Sequence, residues 1–185
     1  MAHGVCPWWL GYLLAIPLRR LWQNPIDILG PFVGDAMTVL EPGCGMGFFT
    51  LDLARMVGPR GKVVAVDVQP RMLTGLQRRA RRAGLGDRID ARLADGEQSG
   101  VADLDGKVDF ALAFAMVHEV PDAARFLADV YRALAPGGKL LVAEPRGHVT
   151  DDAFRALLDR AAKTGFCLTP GPEIRSSHTA VLVKA

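Results

Sequence analysis

Three acidic residues stand at the ends of successive strand-like segments, two apolar and the third alternating, where a ligand could reach them. Glu41 ends "MTVLE", Asp67 follows "KVVAV", and Asp95 follows "RIDARLA". If these segments are neighbouring parallel strands, their carboxyl ends meet at one edge of a sheet. Glu41 suits a cationic group there, Asp67 could accept hydrogen bonds from both hydroxyls of a ribose, and Asp95 could accept one from an adenine amine. The pattern therefore favours a ligand that combines a positive charge, a ribose and adenine.

A glycine-rich stretch, "GCGMG", lies directly after Glu41. Glycines after a buried strand let a ligand approach the backbone closely, and the amides of a following helix can bind it. The spacing is GxGxG, not the GxGxxG of dinucleotide sites, and Phe48 follows at once. This is a poor fit for a pyrophosphate, which Glu41 would also repel. An NAD-linked oxidoreductase therefore remains the weaker alternative.

Length, charge and cysteine content exclude several classes of protein. The chain has 185 residues, half of them hydrophobic, which is enough for one domain with a sizeable core. Its net charge of +2 predicts no specific attraction for nucleic acid. Its three cysteines form no CxxC pair, so neither a zinc site nor a disulfide framework is expected. The apolar segment near the start is too short to span a bilayer, and a cytoplasmic setting is the expectation.

Apolar runs alternate with helical patterns from residue 37 onward. This order is typical of a parallel sheet covered on both faces. We expect an α/β fold, a Rossmann-like three-layer sandwich, with a seven-stranded and mostly parallel sheet and an antiparallel last strand near Val181. Residues 1–36 are predicted to form a dependent N-terminal helical cap, with short helices at 8–16 and 18–23 followed by a loop. A later helix is predicted to begin at Asp122 and to end at "PGG". Residues 37–185 are predicted to form the ligand-binding domain, with a helix at 151–164.

Taken together and in this order, these motifs resemble those of class I S-adenosylmethionine-dependent methyltransferases. The similar segments are "VLEPGCGMGFFT", "VVAVDVQPRML", "RLADGE" and "RALAPGGKLLVAEP", and the likeness is close over about residues 37–145. The segment "FAMVHEVPD" is similar to the subgroup that includes ubiquinone/menaquinone-biosynthesis methyltransferases. One departure is Glu41, where the family more often has aspartate.

The resemblance implies S-adenosylmethionine as cofactor and S-adenosylhomocysteine as product. The glycine backbone would line the methionine portion, Asp67 would bind the ribose, and either Val68 or Met72 would cover the adenine unless it belongs to the core. The cofactor-binding residues are then expected to be Glu41, Gly43, Cys44, Gly45, Gly47, Asp67, Val68, Gln69, Met72, Asp95, Gly96 and Ala115. For Cys44, a small residue that packs between glycines is expected, not a nucleophile.

His118 and Glu119 follow the fourth apolar run and are the catalytic candidates. His118 could act as a general base or orient the substrate, or it could be a structural loop histidine. A sulfonium is already activated, so alignment and exclusion of water could supply most of the rate. A non-catalytic accessory protein that binds the cofactor therefore stays open.

The expected methyl acceptor is a small or lipophilic molecule. The segment "AMVHEVPD" lacks the Asn- or Asp-Pro-Pro-aromatic tetrad with which the family grips amines of nucleic acids or proteins. The tryptophan-rich lead-in could be core, a lid over the acceptor, or a lipid-facing helix without stable insertion. It could also pair across a homodimer. The acceptor-side candidates are Trp8, Trp9, Tyr12 and Met116, and no metal is expected.

Overall fold

The computed structural model describes residues 23–94 and 100–185, and within them seven strands form one sheet in the order β3-β2-β1-β4-β5-β7-β6. The strands are β1 (Thr38–Pro42), β2 (Lys62–Asp67), β3 (Ile89–Leu93), β4 (Val108–Phe114), β5 (Leu134–Pro145), β6 (Phe166–Pro170) and β7 (Ser177–Lys184). β1 pairs with β2, β2 with β3 and β4 with β5 in parallel, whereas β7 is antiparallel to both β5 and β6. The predicted Rossmann-like α/β fold is confirmed, including the antiparallel strand around Val181.

The central strands β1, β2 and β4 are buried along most of their length, which explains why their sequences lack alternation, whereas β3 and β6 are not. In β2 only Lys62 is exposed, and the five residues after it are buried. In β5, Leu140, Leu141, Val142 and Ala143 have no exposed surface. Strands covered on both faces require continuous apolar runs, and this is the pattern that the sequence shows.

The helices are α1 (Pro25–Leu29), α2 (Thr50–Met56), α3 (Pro70–Arg82), α4 (Ala123–Ala133) and α5 (Asp151–Thr164). Helices α1, α4 and α5 begin at a side chain that caps them, whereas α2 and α3 do not. Asp122 accepts hydrogen bonds from Ala124 N and Arg125 N at the start of α4, both at 3.0 Å. Thr150 caps α5, which has the predicted bounds and ends at Gly165 with a left-handed φ of 111°.

Two features differ from the sequence-based expectations. Helix α1 lies in a segment that we predicted to be a loop, and it buries Ile28 and Leu29. Strand β5 begins at Leu134, so the "PGG" that was expected only to end a helix lies inside an irregular first part of the strand. The helices predicted at 8–16 and 18–23 lie outside the described residues, apart from Gln23.

The chain divides into two compact units. Val5–Gly100 contains β1 to β3, and Val101–Ala185 contains β4 to β7. In the first unit, α3 packs on β2 through a cluster that includes Cys44, Ala65, Leu73 and Leu76. Among the described helices, none has the length and apolarity needed to cross a bilayer.

Candidate functional site

The glycine-rich loop follows β1 and is tied to the end of β2. Gly43 N and Cys44 N both donate to the carbonyl oxygen of Val66, at 2.8 and 3.1 Å. Gly43, Gly45 and Gly47 all have left-handed backbone, with φ values of 69°, 53° and 80°. This conformation strains any residue with a Cβ, so the sequence pattern has a direct backbone cause.

Gly45 and Gly47 serve different purposes in this loop. A Cβ built on Gly47 would lie 2.4 Å from Leu76 Cδ1, so this glycine is needed for packing against α3. A Cβ built on Gly45 meets no atom within 4 Å in the part of the chain that the structure describes, chain neighbours aside. Among the residues that the structure describes, the loop therefore presents an open face at Gly45, where a ligand could contact the backbone.

Two buried carboxylates flank this loop in the first unit. Glu41, near the end of β1, is 4% exposed, and Asp67, the last residue of β2, is 8% exposed. Asp67 Oδ2 accepts a hydrogen bond from Gly45 N and Oδ1 accepts one from Gln69 N, each at 2.9 Å. A carboxylate has about four acceptor positions, so Asp67 can hold the loop and still accept from a ligand hydroxyl. Burial raises the pKa of Asp67, and these backbone hydrogen bonds oppose that effect.

The residues after β2 separate into exposed and buried ones. Val68 is 53% exposed, which is unusual for valine, and Met72 is only 4% exposed. Val68 and Gln69 line part of a surface cavity of about 360 Å³, together with Pro70 and Arg71. Of the two candidates for covering an adenine face, Val68 therefore presents its side chain to the surface, while the side chain of Met72 lies in the core.

Cys44 is buried between the glycines, and its side chain packs against Ala65, Leu73 and Leu76. Burial raises the pKa of its thiol well above the ordinary value, and the nearby Glu41 and Asp67 add to this effect. A thiol held in its neutral form is a poor nucleophile. Cys44 can therefore contribute only its backbone to a ligand site.

Five of the predicted site residues lie outside the described residues: Trp8, Trp9, Tyr12, Asp95 and Gly96. Their roles remain predictions from the sequence.

In the second unit, the turn after β4 carries Ala115, Met116, His118 and Glu119. Ala115 has a left-handed φ of 54°, and its N–H donates to the carbonyl oxygen of Ala143 at 2.7 Å. A left-handed backbone is strained in a non-glycine residue. Such strain persists only where the surrounding structure enforces it, and it is common beside functional sites. His118 follows this strained residue closely and lies on a short 3₁₀ segment that spans Val117–Glu119.

Glu144 is the functional candidate that the sequence reasoning missed. It lies near the end of β5 with only 1% of its surface exposed, and its Oε2 contacts Nδ1 of His118. This hydrogen bond raises the pKa of His118, against the lowering effect of burial. The sequence did contain a pattern that indicates Glu144, because this residue ends the apolar run "KLLVAE" just as Glu41 ends "TVLE".

The residues of the first unit fit S-adenosylmethionine. The open backbone at Gly45 leaves room for the cofactor, and the buried acids Glu41 and Asp67 match a cation and a ribose. The same acids would disfavour a phosphorylated ligand. Among the described residues, no group of three or more His, Cys, Asp or Glu side chains is arranged to hold a metal ion.

Comparisons with known proteins agree with this chemistry. The family described as "Methyltransferase domain" matches residues 34–169. The ubiquinone/menaquinone biosynthesis C-methyltransferase of Hahella chejuensis is 34% identical over 133 residues, which cover 71% of this chain and 52% of that protein. The Escherichia coli protein of the same name is 32% identical over 133 residues, again 71% of this chain and 51% of that protein. The chain thus spans about half the length of the curated relatives it matches.

A solved structure shares the fold over nearly the whole chain. A SAM-dependent methyltransferase from Aquifex aeolicus superimposes with a TM-score of 0.85, covering 98% of this chain and 100% of that one, at 23% identity. Since the family match covers more than half of the sequence, the chain belongs to the class I S-adenosylmethionine-dependent methyltransferases.

Proposed function

We propose that this chain transfers a methyl group from S-adenosylmethionine to a small or lipophilic acceptor. The observation that carries the proposal is the pair of buried carboxylates, Glu41 and Asp67, beside the open backbone of Gly45. Burying a carboxylate costs free energy unless hydrogen bonds or an opposite charge offset it, so buried carboxylates beside a ligand-accessible loop indicate a binding site. A cationic nucleoside would supply an opposite charge, whereas a dinucleotide would bring phosphates against the carboxylates.

Most of the proposed cofactor contacts lie in the first unit, and Ala115 lies in the second. Glu41 and the backbone of the glycine loop hold the methionine end, and Asp67 accepts from the ribose hydroxyls. Val68 covers one face of the adenine. The remaining proposed contacts come from Gln69, Asp95, Gly96 and Ala115.

The bound cofactor supplies an electrophilic methyl group, so the protein's task is to align the acceptor and exclude water. His118 and Glu119 are proposed to face the acceptor. Met116 and the aromatic residues Trp8, Trp9 and Tyr12 are proposed to form its apolar surroundings.

The named relatives support a narrower choice of acceptor. They are called ubiquinone/menaquinone biosynthesis C-methyltransferases, and the names specify methylation at carbon on quinone precursors. We therefore propose a phenol or hydroquinone as acceptor, which also agrees with the apolar, aromatic character of the first 25 residues.

Calorimetry followed by a transfer assay tests the proposal. We expect S-adenosylmethionine and S-adenosylhomocysteine to bind and NADH not to bind. We further expect S-adenosylhomocysteine to form when 1,4-naphthohydroquinone is added under anaerobic conditions, but not with small amines or thiols. Tighter binding of NADH would replace the proposal with an oxidoreductase. Cofactor binding without turnover on any acceptor would indicate an accessory protein.

A further inference from the structure

Glu144 sits where several donors converge on one buried carboxylate. Its Oε1 accepts hydrogen bonds from Met116 N at 3.1 Å and Val117 N at 2.8 Å. Its Oε2 contacts Nδ1 of His118. Backbone N–H groups can only donate, so Oε1 acts as an acceptor, and a carboxylate, which only accepts, suits all three contacts.

An ionised Glu144 determines which nitrogen of His118 carries the proton. A carboxylate that accepts at Oε2 requires a hydrogen on Nδ1, so the neutral imidazole must have its lone pair on Nε2. The ring is also held in place by His148, whose ring stacks on it with a centroid distance of 5.6 Å and an angle of 19°. His118 is thus presented as a proton acceptor at Nε2.

Among the described residues, charged and titratable groups reach His118 from β5, from the loop after β5 and from its own turn. Glu144 and His148 belong to β5 and the loop after it, and Glu119 lies on the same turn as His118. Glu119 Oε1 is 3.9 Å from Nε2, too far for a hydrogen bond but close enough to favour an imidazolium. The carboxylates therefore stabilise the charge that His118 would acquire on accepting a proton.

We propose that Glu144 is a positioning residue that holds His118 as the general base for an acceptor with an ionisable O–H. This inference rests on the proposed function and adds to it the residues that would accept the proton of the acceptor's O–H. In the proton-transfer step, the O–H bond of the acceptor breaks and its electron pair stays on oxygen. The proton forms a new N–H bond at Nε2 of His118, and the imidazolium, paired with Glu144, later returns the proton to water.

The substitution Glu144→Gln tests the tautomer directly. The side chain keeps its shape, and its amide oxygen can still accept from Met116 N and Val117 N. Its NH₂ group then faces Nδ1 of His118, which must become an acceptor, so the proton moves to Nε2. The matched control is Glu173→Gln, because Glu173 is an exposed glutamate outside the proposed site.

Nitrogen-15 NMR of the imidazoles measures the tautomer without any acceptor. We expect the Nδ1–H form in the wild type and in Glu173→Gln, the Nε2–H form in Glu144→Gln, and a lower pKa for His118 in Glu144→Gln. A wild-type His118 in the Nε2–H form overturns the proposal, and this result does not depend on whether a variant folds. An unchanged tautomer and pKa in folded Glu144→Gln overturns it as well.

Turnover of 1,4-naphthohydroquinone supplies the second measurement. A general base contributes about 10²–10⁴-fold, so we expect kcat of Glu144→Gln to fall at least about 100-fold with an unchanged affinity for S-adenosylmethionine. The acidic limb of the kcat/KM profile should also move to lower pH, which a purely structural role would not cause. A retained kcat or an unmoved limb contradicts the proposal. If the wild type binds no S-adenosylmethionine, the proposed function is refuted. The NMR measurements of the His118 tautomer would still show whether Glu144 positions the ring.

Discussion

The substitution Gly45→Ala, compared with Gly84→Ala, tests whether the cofactor contacts the open face of the glycine loop. Both glycines have left-handed backbone, with φ values of 53° and 68°. For both, a built Cβ meets no atom within 4 Å in the described part of the chain. Gly84 lies just past the end of α3, away from every proposed ligand contact. The two variants therefore introduce the same strain and the same methyl group and differ only in where that group points.

The expected loss of stability is the same for both variants. A Cβ in the left-handed region costs about 1–2 kcal/mol. For a chain of this size, each kcal/mol lowers Tm by about 2–4 °C. Thermal unfolding of the two variants should therefore give similar shifts from the wild type.

The expected loss of cofactor affinity is confined to Gly45→Ala. A methyl group on the open face keeps a ligand from van der Waals contact with the loop, and the dispersion energy of that contact falls off steeply with distance. We expect at least a tenfold weaker Kd for S-adenosylmethionine, or about 1.4 kcal/mol, while Gly84→Ala binds as the wild type does. Calorimetry on all three proteins is the assay. Equal affinities would refute the claim that the cofactor lies against Gly45.

Four further predictions concern single residues of the two units. Asp67→Ala should weaken S-adenosylmethionine binding by about 1–3 kcal/mol, measured by calorimetry, because ligand hydroxyls lose their acceptor. In thermal unfolding, Gly47→Ala should destabilise the fold more than Gly84→Ala does, since a Cβ at position 47 would overlap Leu76 Cδ1. The raised pKa of His118 means that its pair with Glu144 stabilises the folded state below the ordinary value of 6.5 and loses that effect as pH rises through the raised pKa. In urea unfolding, His118→Gln should therefore cost more stability in acid than in alkaline buffer. Cys44 should resist alkylation until the protein unfolds, as mass spectrometry of the digested protein can show, because its thiol is buried and neutral.

The fold was predictable because its signals are local. Strands β1, β2 and β4 are apolar runs bounded by turn residues, β3 alternates, and α4 and α5 begin at side chains that cap them. Helix α1 was missed because a pattern of five residues is too short for helical periodicity to show. Its Asn24-Pro25 start is nevertheless an ordinary N-cap followed by proline at the first helical position.

The candidate site was only partly predictable, for a different reason. Acids at strand ends can be read from the sequence, and Glu41 and Asp67 are indeed found there. The contact between His118 and Glu144 joins residues 26 apart, so it depends on the pairing of β4 with β5. Likewise, only the structure shows that Val68 faces outward while Met72 packs inward.

The position of β7 between β5 and β6 has a consequence for synthesis on the ribosome. Both neighbours precede β7 in the chain, yet each makes its ladder with β7. Until residues 177–184 leave the exit tunnel, the edge of β5 that β7 will cover stays unpaired, and β6 lacks its partner. Unpaired strand edges attract other chains, so the nascent protein is most exposed to misassociation just before this strand emerges.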